Sequence, residues 1–336
     1  MAGALVRTAL RTSLSQIRHV RPVRPRHAGG LVARVYRQVE RDFGMLAPPV
    51  ALHSPAPAAL AASWAMLRET LVVPGDAGRP AKEAVAAAVS DANACPYCVE
   101  VHDATLRGLV RDPGADPALA ELATWARESG TSDGAARHAW PFPAGHAPEL
   151  IGVAVTFHYL NRMVHVFLSD SPLPPTVPAG ARDRARRFLG WVMRGPAVRS
   201  SRPGAAIELL DDAPLPTDLA WAAGNPSIGG AFARAAAAIE GGTVPPSVRE
   251  LVTAELSDWD GQPGGPSRAW VHDATAALPP ADRAAGRLAL LAAKASYQID
   301  DAVVAEFRAG APADAALVEL VSWASLTAAR RVGGWL

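Results

Sequence analysis

Two cysteines and a histidine stand at spacings that could support thiol chemistry. Cys95 and Cys98, within Cys-Pro-Tyr-Cys, are the only cysteines of the 336-residue chain, and His102 follows four residues later. A helix beginning near Cys95, with Pro96 in its first turn, would place one thiol at the positive end of the helix dipole, which favours the thiolate. The His102 imidazole would then stand one turn beyond Cys98 on the same face, as a base beside a nucleophile.

The cysteine spacing leaves three other interpretations open. A structural zinc site takes about four ligands, and Cys95, Cys98, His102 and Glu83 could supply them, although the chain has no second Cys-x-x-Cys. Cys-Pro-Tyr-Cys is also a glutaredoxin-like tetrapeptide, but that motif follows a β-strand, whereas the surroundings here have helical patterns. The two thiols could also be inert, buried side chains.

Alanine-rich segments must position these groups. Runs of alternating β-branched residues are scarce, and apolar residues recur at helical spacing, so the pattern predicts helices rather than strands. Proline clusters between the segments are predicted to end helices and to form loops. The fold class is therefore predicted to be all-α. Helices are predicted over 31–43, 58–72, 81–94, 118–127, 149–168, 183–193, 229–239, 248–256, 281–296 and 315–331.

The chain contains an internal repeat. KEAVAAAVSD at 82–91 resembles RELVTAELSD at 249–258, and an identical VHDAT follows each, at 101–105 and at 271–275. The offset grows from 167 to 170 residues between the two matches, so the second copy carries three extra residues where the first has its cysteines. We predict two tandem repeats, of which the second is degenerate and structural.

The second repeat keeps the polar partners of the motif without its thiols. Glu250 and His272 occupy the positions of Glu83 and His102, and WDGQPGGPSRAW faces ANACPYCVE. The second repeat therefore has no nucleophile at this place.

Composition restricts the classes of partner. The chain is 49% hydrophobic, with 33 basic and 32 acidic residues and a net charge of +1, which predicts a globular protein with no nucleic-acid partner. Residues 1–39 hold eight arginines and no Asp or Glu, a pattern typical of a solvated arm.

No run of about 18 apolar residues and no secretory pattern is found, so we expect no membrane span and a cytoplasmic location. In the cytoplasm a disulfide is more often catalytic than structural. The predicted organisation is a basic, flexible arm at 1–30, a first repeat at 31–172 and a second at 173–336.

Glu83 completes a longer pattern, Glu-x11-Cys-x2-Cys-x3-His. This pattern resembles that of the alkyl hydroperoxidase D (AhpD-like) family, within the larger carboxymuconolactone decarboxylase group. HDATLRG continues the motif as in that family, and FHYLNRMVHVFL resembles its C-terminal helix. The resemblance covers residues 37–168, and the second half as a degenerate copy. It implies an all-helical bundle built from two tandem repeats.

The resemblance also implies a function, that of a thiol-dependent peroxidase or disulfide oxidoreductase. Cys98 would be the attacking thiol and Cys95 the resolving thiol, with Glu83 and His102 as the proton relay. The implied partners are a hydroperoxide or other small organic substrate, a dithiol or protein reductant, and further copies of the chain, three of which would form a pseudo-hexamer. Tyr97 stands where the best-known members have a histidine, and a phenol donates hydrogen bonds but is a poor base at neutral pH.

Two other functions are left open by the residues. The scaffold also hosts a decarboxylase-like lyase or a specialised oxidative enzyme acting on a small organic substrate, and fold does not determine function. The cysteine pair could instead make a redox-sensing or scaffold protein. The chain has no phosphate loop and no flavin or nicotinamide fingerprint, so the redox-active cysteines are predicted to work without a cofactor or metal.

Several polar residues lie outside the motif. His158 and His165, seven apart on one predicted helix with Asn161 between them, are interpreted as satisfied packing groups. Lys82 and Lys294 are the only lysines, and by themselves they indicate no Schiff-base site.

Overall fold

A computed structural model describes residues 12–173 and 177–336 of the chain. The described residues form α-helices, short 3-10 helices and one π-helical turn, and no strand occurs among them. This confirms the predicted all-α class. No helix in these two ranges combines the length and apolarity needed to cross a membrane.

The first half contains eight described α-helices. They are α1 (Gly30–Asp42), α2 (Pro48–Ala51), α3 (Pro57–Leu67), α4 (Arg79–Ala92), α5 (Pro96–Leu109), α6 (Pro117–Glu128), α7 (Ser132–Arg137) and α8 (Ala147–Phe167). A π-helical turn, Arg68–Val72, follows α3, so the segment predicted at 58–72 changes its winding after Leu67.

The second half contains seven described α-helices. They are α9 (Ala179–Ala197), α10 (Pro226–Glu240), α11 (Pro246–Ser257), α12 (Ala269–Ala274), α13 (Arg283–Lys294), α14 (Asp301–Gly310) and α15 (Asp314–Gly333). The 3-10 helices are Thr12–Gln16, Pro25–His27, Pro113–Ala115, Ala144–His146, Ile207–Leu209, Thr217–Gly224 and Ser296–Gln298. All ten predicted segments overlap these helices. Five of the described α-helices lie outside the ten segments: α5, which the cysteine motif predicts separately, and α2, α7, α12 and α14.

Prolines often stand at the beginning of helices in this protein. A proline lies in the first turn of α3, α4, α5, α6, α8, α10 and α11. An N–H in the first turn has no partner within the helix, so a residue without one is tolerated there. Asp116 and Asn225 cap α6 and α10 by accepting backbone N–H groups through their side chains.

The core is built around α8. Every residue of α8 except His165 is buried, as expected for a helix that is apolar on all sides. It packs against α4 of its own half and against α15 of the other, while α3 packs against α10. One apolar core therefore includes residues from both halves. The boundary between the predicted repeats, at 172 and 173, stays a prediction.

The described part of the predicted N-terminal arm is held against the body of the protein. Arg18 donates to the Leu168 carbonyl at 2.7 Å, and the backbone N–H of Val23 donates to Ser54 Oγ at 2.8 Å. Leu14, Ile17 and Val23 pack on the core. Residues 14–28 of the predicted arm thus contact the body of the protein through apolar side chains, most of them partly buried, while the arm predicted at 1–30 stays a prediction. Residues 1–11 lie outside the described ranges.

Helix α9 covers α5, the helix of the cysteine motif. The two cross closely at Gly108 and Gly190, where a Cβ on either glycine would collide with the backbone of the other helix. Small residues at a crossing let two helix backbones approach. One face of the motif helix is thus shielded by α9.

Candidate active site

The two cysteines lie at the start of α5. Cys95 is the N-cap residue, Pro96 is the first residue of the helix, and Cys98 follows within the first turn. The helix begins where Pro96 predicts. Both thiols are free and buried, and their sulfur atoms lie 3.0 Å apart. A disulfide bond measures about 2.05 Å, so a small movement would join them.

A tight turn folds α5 back onto α4. Ala94 has a φ of 52°, in the left-handed region that is costly for residues with a Cβ. The next backbone N–H, that of Cys95, donates to the Ser90 carbonyl at 2.9 Å. His165 Nε2 lies 3.1 Å from the Ala94 carbonyl, within hydrogen-bond distance, and ties the turn to α8. Because the turn is short, the two helices pack along each other.

This packing joins Glu83 of α4 to His102 of α5. His102 Nδ1 lies 2.7 Å from Glu83 Oε2, and Arg79 Nε donates to Glu83 Oε1 at 2.7 Å. Burial by itself would raise the pKa of Glu83, but the charges of Arg79 and His102 and their hydrogen bonds bring it below its ordinary value. Glu83 is therefore an ionised carboxylate that orients the imidazole, with Nδ1–H as the donor.

The Cys98 sulfur has different neighbours. Burial and the adjacent Cys95 raise the pKa of Cys98 well above that of an ordinary thiol, while hydrogen bonds from Asn161 and Ser90 lower it in part. Across the described residues no hydrogen bond joins His102 to Cys98. The predicted placement on one helical face is met, but the imidazole is held by Glu83 rather than by the thiol.

Sequence reasoning missed Ser90 as a residue of this site and assigned Asn161 to packing. Asn161 Nδ2 donates to Ser90 Oγ at 3.0 Å, and Asn93 Nδ2 donates to Asn161 Oδ1 at 2.9 Å. The signal available was a polar amide inside the apolar helix α8, since buried amides are normally hydrogen-bonded. The network reaches His158, which lies within hydrogen-bond distance of Asn93.

Tyr97, which lies between the two cysteines in the sequence, has a buried side chain. Burial raises its pKa far above the ordinary tyrosine value. The side chain is thus a neutral phenol at any physiological pH. This agrees with the expectation that Tyr97 is a poor base.

A cavity of about 970 Å³ opens beside α5 and α9. Cys95 lies in its wall, together with Glu100 and Arg186, which form an ion pair at 2.9 Å, whereas Cys98 is not part of the lining. The cavity therefore reaches the dithiol from the Cys95 side.

The arrangement of His, Cys, Asp and Glu side chains bears on whether a metal ion could bind. Within residues 12–173 and 177–336, no set of three or more His, Cys, Asp and Glu side chains is arranged to hold a metal ion. The Glu83 carboxylate is engaged by Arg79 and His102. The chemistry that the geometry offers is that of a dithiol next to an oriented imidazole.

The fold and the site define an all-α protein with a buried Cys-x-x-Cys dithiol beside a Glu–His pair. No protein-family model matches the chain. A curated protein of Mycobacterium tuberculosis (strain ATCC 25618 / H37Rv), named alkyl hydroperoxide reductase Rv2159c, is 39% identical over 332 residues, which cover 95% of each chain. The chain belongs to the alkyl hydroperoxidase D (AhpD-like) family.

Proposed function

We propose that the protein is a thiol-dependent peroxidase or disulfide oxidoreductase that works through Cys98 and Cys95. The observation that carries the proposal is the pair of free sulfur atoms 3.0 Å apart at the start of a helix, one turn before an imidazole held by a buried carboxylate. The name of the mycobacterial relative, alkyl hydroperoxide reductase, supports a peroxide as the oxidant.

The proposed reaction has two oxidative steps. The Cys98 thiolate attacks a hydroperoxide oxygen, so that an S–O bond forms, the O–O bond breaks, and an alcohol leaves with a proton from His102. Cys95 then attacks the sulfenate of Cys98; an S–S bond forms and water leaves. An external dithiol or protein reductant restores both thiols by exchange and becomes a disulfide itself.

Proton transfer is the step for which the site must be arranged. The raised pKa of Cys98 keeps its thiol protonated at neutral pH, so a base must remove the proton before attack. His102, oriented by Glu83, is the proposed base, and a water molecule or the substrate hydroxyl carries the proton between it and Cys98. Glu83 acts through His102 as a positioning residue.

The cavity supports different roles for the two thiols, because only Cys95 lies in its wall. Cys95 borders a space of about 970 Å³, which admits a molecule larger than water. We propose that the reductant attacks the Cys95 sulfur of the disulfide from this cavity. We also propose a cytoplasmic location and a homo-oligomer, with three chains as a pseudo-hexamer. Light scattering, which measures molar mass, checks the oligomer.

The test counts thiols and measures intact mass before and after one equivalent of cumene hydroperoxide. Rapid loss of two thiols with a mass decrease of two hydrogens supports the proposal. Cys98→Ser should abolish the reaction, whereas Cys95→Ser should leave a sulfenate on Cys98 that a dimedone probe captures. The matched control His272→Asn alters the exposed counterpart of His102 and should react as the wild type does. Unchanged thiols and mass in the wild type overturn the proposal.

A redox-sensing role is the second candidate, and one observation favours it. Both thiols are buried, and burial raises the pKa of Cys98, which slows attack on peroxide. A sensor would form the disulfide without multiple turnover when a dithiol reductant is supplied. Several cycles of peroxide consumption per chain would exclude this role.

A further inference from the structure

A second cavity, of about 510 Å³, lies apart from the cysteines. Its wall combines Lys82 of α4 and Glu149 of α8 with residues 203, 204, 207 and 224–227 from the second half of the chain. Neither cysteine takes part in the lining. Lys82 and Glu83 are neighbours in sequence but serve different places, since Glu83 contacts His102 and Lys82 borders this cavity.

Lys82 is buried to an extent that is rare for lysine. Its side chain is 2% exposed, and its Nζ lies 2.5 Å from Glu149 Oε2 and donates to the Val73 carbonyl at 3.0 Å. Burial lowers the pKa of Lys82, and the neighbouring Glu149 raises it in part. A lysine with a lowered pKa has a larger neutral fraction, and the neutral amine is the nucleophile in Schiff-base sites.

Glu149 is fixed so that one oxygen faces the amine. Its Oε1 accepts the backbone N–H groups of Asp76 at 2.8 Å and Ala77 at 3.4 Å. Gly75 allows this loop to approach, because a Cβ there would collide with the Glu149 carboxylate. Oε2 remains for Lys82. A carboxylate at hydrogen-bond distance from an amine can accept its proton and return it.

We propose that Lys82 forms an imine with a small, uncharged aldehyde or ketone in this cavity, with Glu149 as the proton carrier. The wall favours an uncharged compound, because Val73, Pro74 and Ile207 supply apolar surface and the charge of Lys82 is already paired with Glu149. The Glu69 charge is already balanced by Arg68 at 2.5 Å, so Lys82 is the amine that the cavity offers.

The chemistry needs no oxidant or reductant. The Lys82 ammonium first passes one proton to Glu149 and becomes a neutral amine. Its nitrogen bonds to the carbonyl carbon while one of its N–H protons passes to the carbonyl oxygen, giving a carbinolamine. Glu149 then gives its proton to the hydroxyl, which leaves as one water molecule, and a protonated C=N bond remains beside the Glu149 carboxylate. Hydrolysis reverses these steps. The proposal does not rest on the cysteine chemistry. A Cys95→Ser/Cys98→Ser double variant should therefore still form the imine at Lys82.

Reductive trapping on the intact chain tests the proposal. The protein is treated with limiting propanal and sodium cyanoborohydride at neutral pH, and peptide mass spectrometry locates the propyl groups. The chain has only two lysines, so Lys294 is an internal comparison. Its side chain is 16% exposed against 2% for Lys82, and accessibility alone would therefore label Lys294 first.

The expected result is the reverse order. Lys82 should be labelled roughly tenfold faster than Lys294, because burial lowers the pKa of Lys82 and so leaves more of the neutral, nucleophilic amine. In denaturant both lysines should react at one rate, which shows that the fold causes the difference. Lys82→Met should remove this adduct and leave labelling of Lys294 unchanged. Native protein labelled at Lys294 with Lys82 unmodified overturns the proposal and makes the Lys82–Glu149 pair structural.

Discussion

The two copies of Val-His-Asp-Ala-Thr share their local structure. Thr105 and Thr275, the last residues of each copy, donate from Oγ1 to the carbonyl oxygen four residues earlier, at 2.8 Å in both cases. The first copy lies within α5, and the second lies in α12 apart from Thr275, which is the C-cap residue of that helix. An identical pentapeptide therefore adopts a similar helical backbone in both halves, as local propensity predicts.

The surroundings of the two copies differ. His102 and Glu83 are buried and hydrogen-bonded to each other, whereas their counterparts His272 and Glu250 are exposed. α5 has 14 residues and packs along α4, while α12 has six and packs on α13. The same residue types thus form a site in one half and surface in the other, because only the first half brings its two helices together.

Glu83→Gln should show the largest difference between the halves. The substitution leaves Arg79 and His102 without their shared carboxylate in a buried place, and breaking a buried pair costs about 3–5 kcal/mol. Glu250→Gln, at the exposed counterpart, should change the free energy of unfolding by less than about 0.5 kcal/mol. Urea denaturation of both variants measures this. Equal losses would contradict the comparison.

The contribution of Glu83 to the free energy of unfolding should also depend on pH, and it should become smaller in acid. The pKa of Glu83 is lowered in the folded protein, so its stabilisation is present above the ordinary glutamate pKa and is lost as pH falls through the lowered one. The difference in unfolding free energy between wild type and Glu83→Gln should therefore narrow in acid. A constant difference would show that the carboxylate charge does not contribute.

His102→Asn should slow thiol oxidation by about a hundredfold, the lower range for loss of a general acid or base. The matched variant His272→Asn should react at the wild-type rate because its imidazole is exposed and has no thiol beside it. Stopped-flow measurement of thiol loss compares the two. A similar rate for both variants would remove His102 from the proton relay.

The rate of thiol oxidation should rise with pH over a wide range. Because the pKa of Cys98 is raised, the thiolate fraction increases about tenfold per pH unit until that raised pKa is reached. Glutathione, an exposed thiol, should level off at lower pH in the same assay. If the oxidation rate of the protein levelled off at the same pH as that of glutathione, burial would not control the reactivity of Cys98.

Ala94→Gly should have the smallest effect. The left-handed backbone at Ala94 is costly with a Cβ, and the gain on removing it is offset by the entropy of glycine, so stabilisation below about 1 kcal/mol is expected. In the second half, Gly261 already has a φ of 93°. Thermal unfolding measures the change, and destabilisation by the substitution would mean that this turn has no strain to relieve.

Local patterns were enough to predict much of the fold. The helical spacing of apolar residues located ten helices, and Pro96 located the start of α5 directly after Cys95. The segment predicted at 58–72 is helical to its end, but its winding changes from α to π at Arg68. The arginine content of the first 39 residues is typical of a solvated arm, and it hides the few apolar side chains within residues 14–28 that contact the core.

The site itself was only partly predictable. The motif spacing selects Glu83, Cys95, Cys98 and His102, and the structure joins Glu83 to His102 and Cys95 to Cys98. It does not join His102 to Cys98 directly. Ser90 could not have been assigned, because its approach to the thiol depends on how α4, α5 and α8 pack.

The sequence by itself determined the helical class, the position of the dithiol at a helix start and the family to which the chain belongs, because these depend on spacing along one segment. Tertiary structure decided which polar groups are buried together. It oriented His102 toward Glu83, left His272 exposed, and enclosed Lys82 with Glu149. Burial and charge pairing arise between segments far apart in the chain, and the strength of an electrostatic interaction depends on how much water the fold removes from around it.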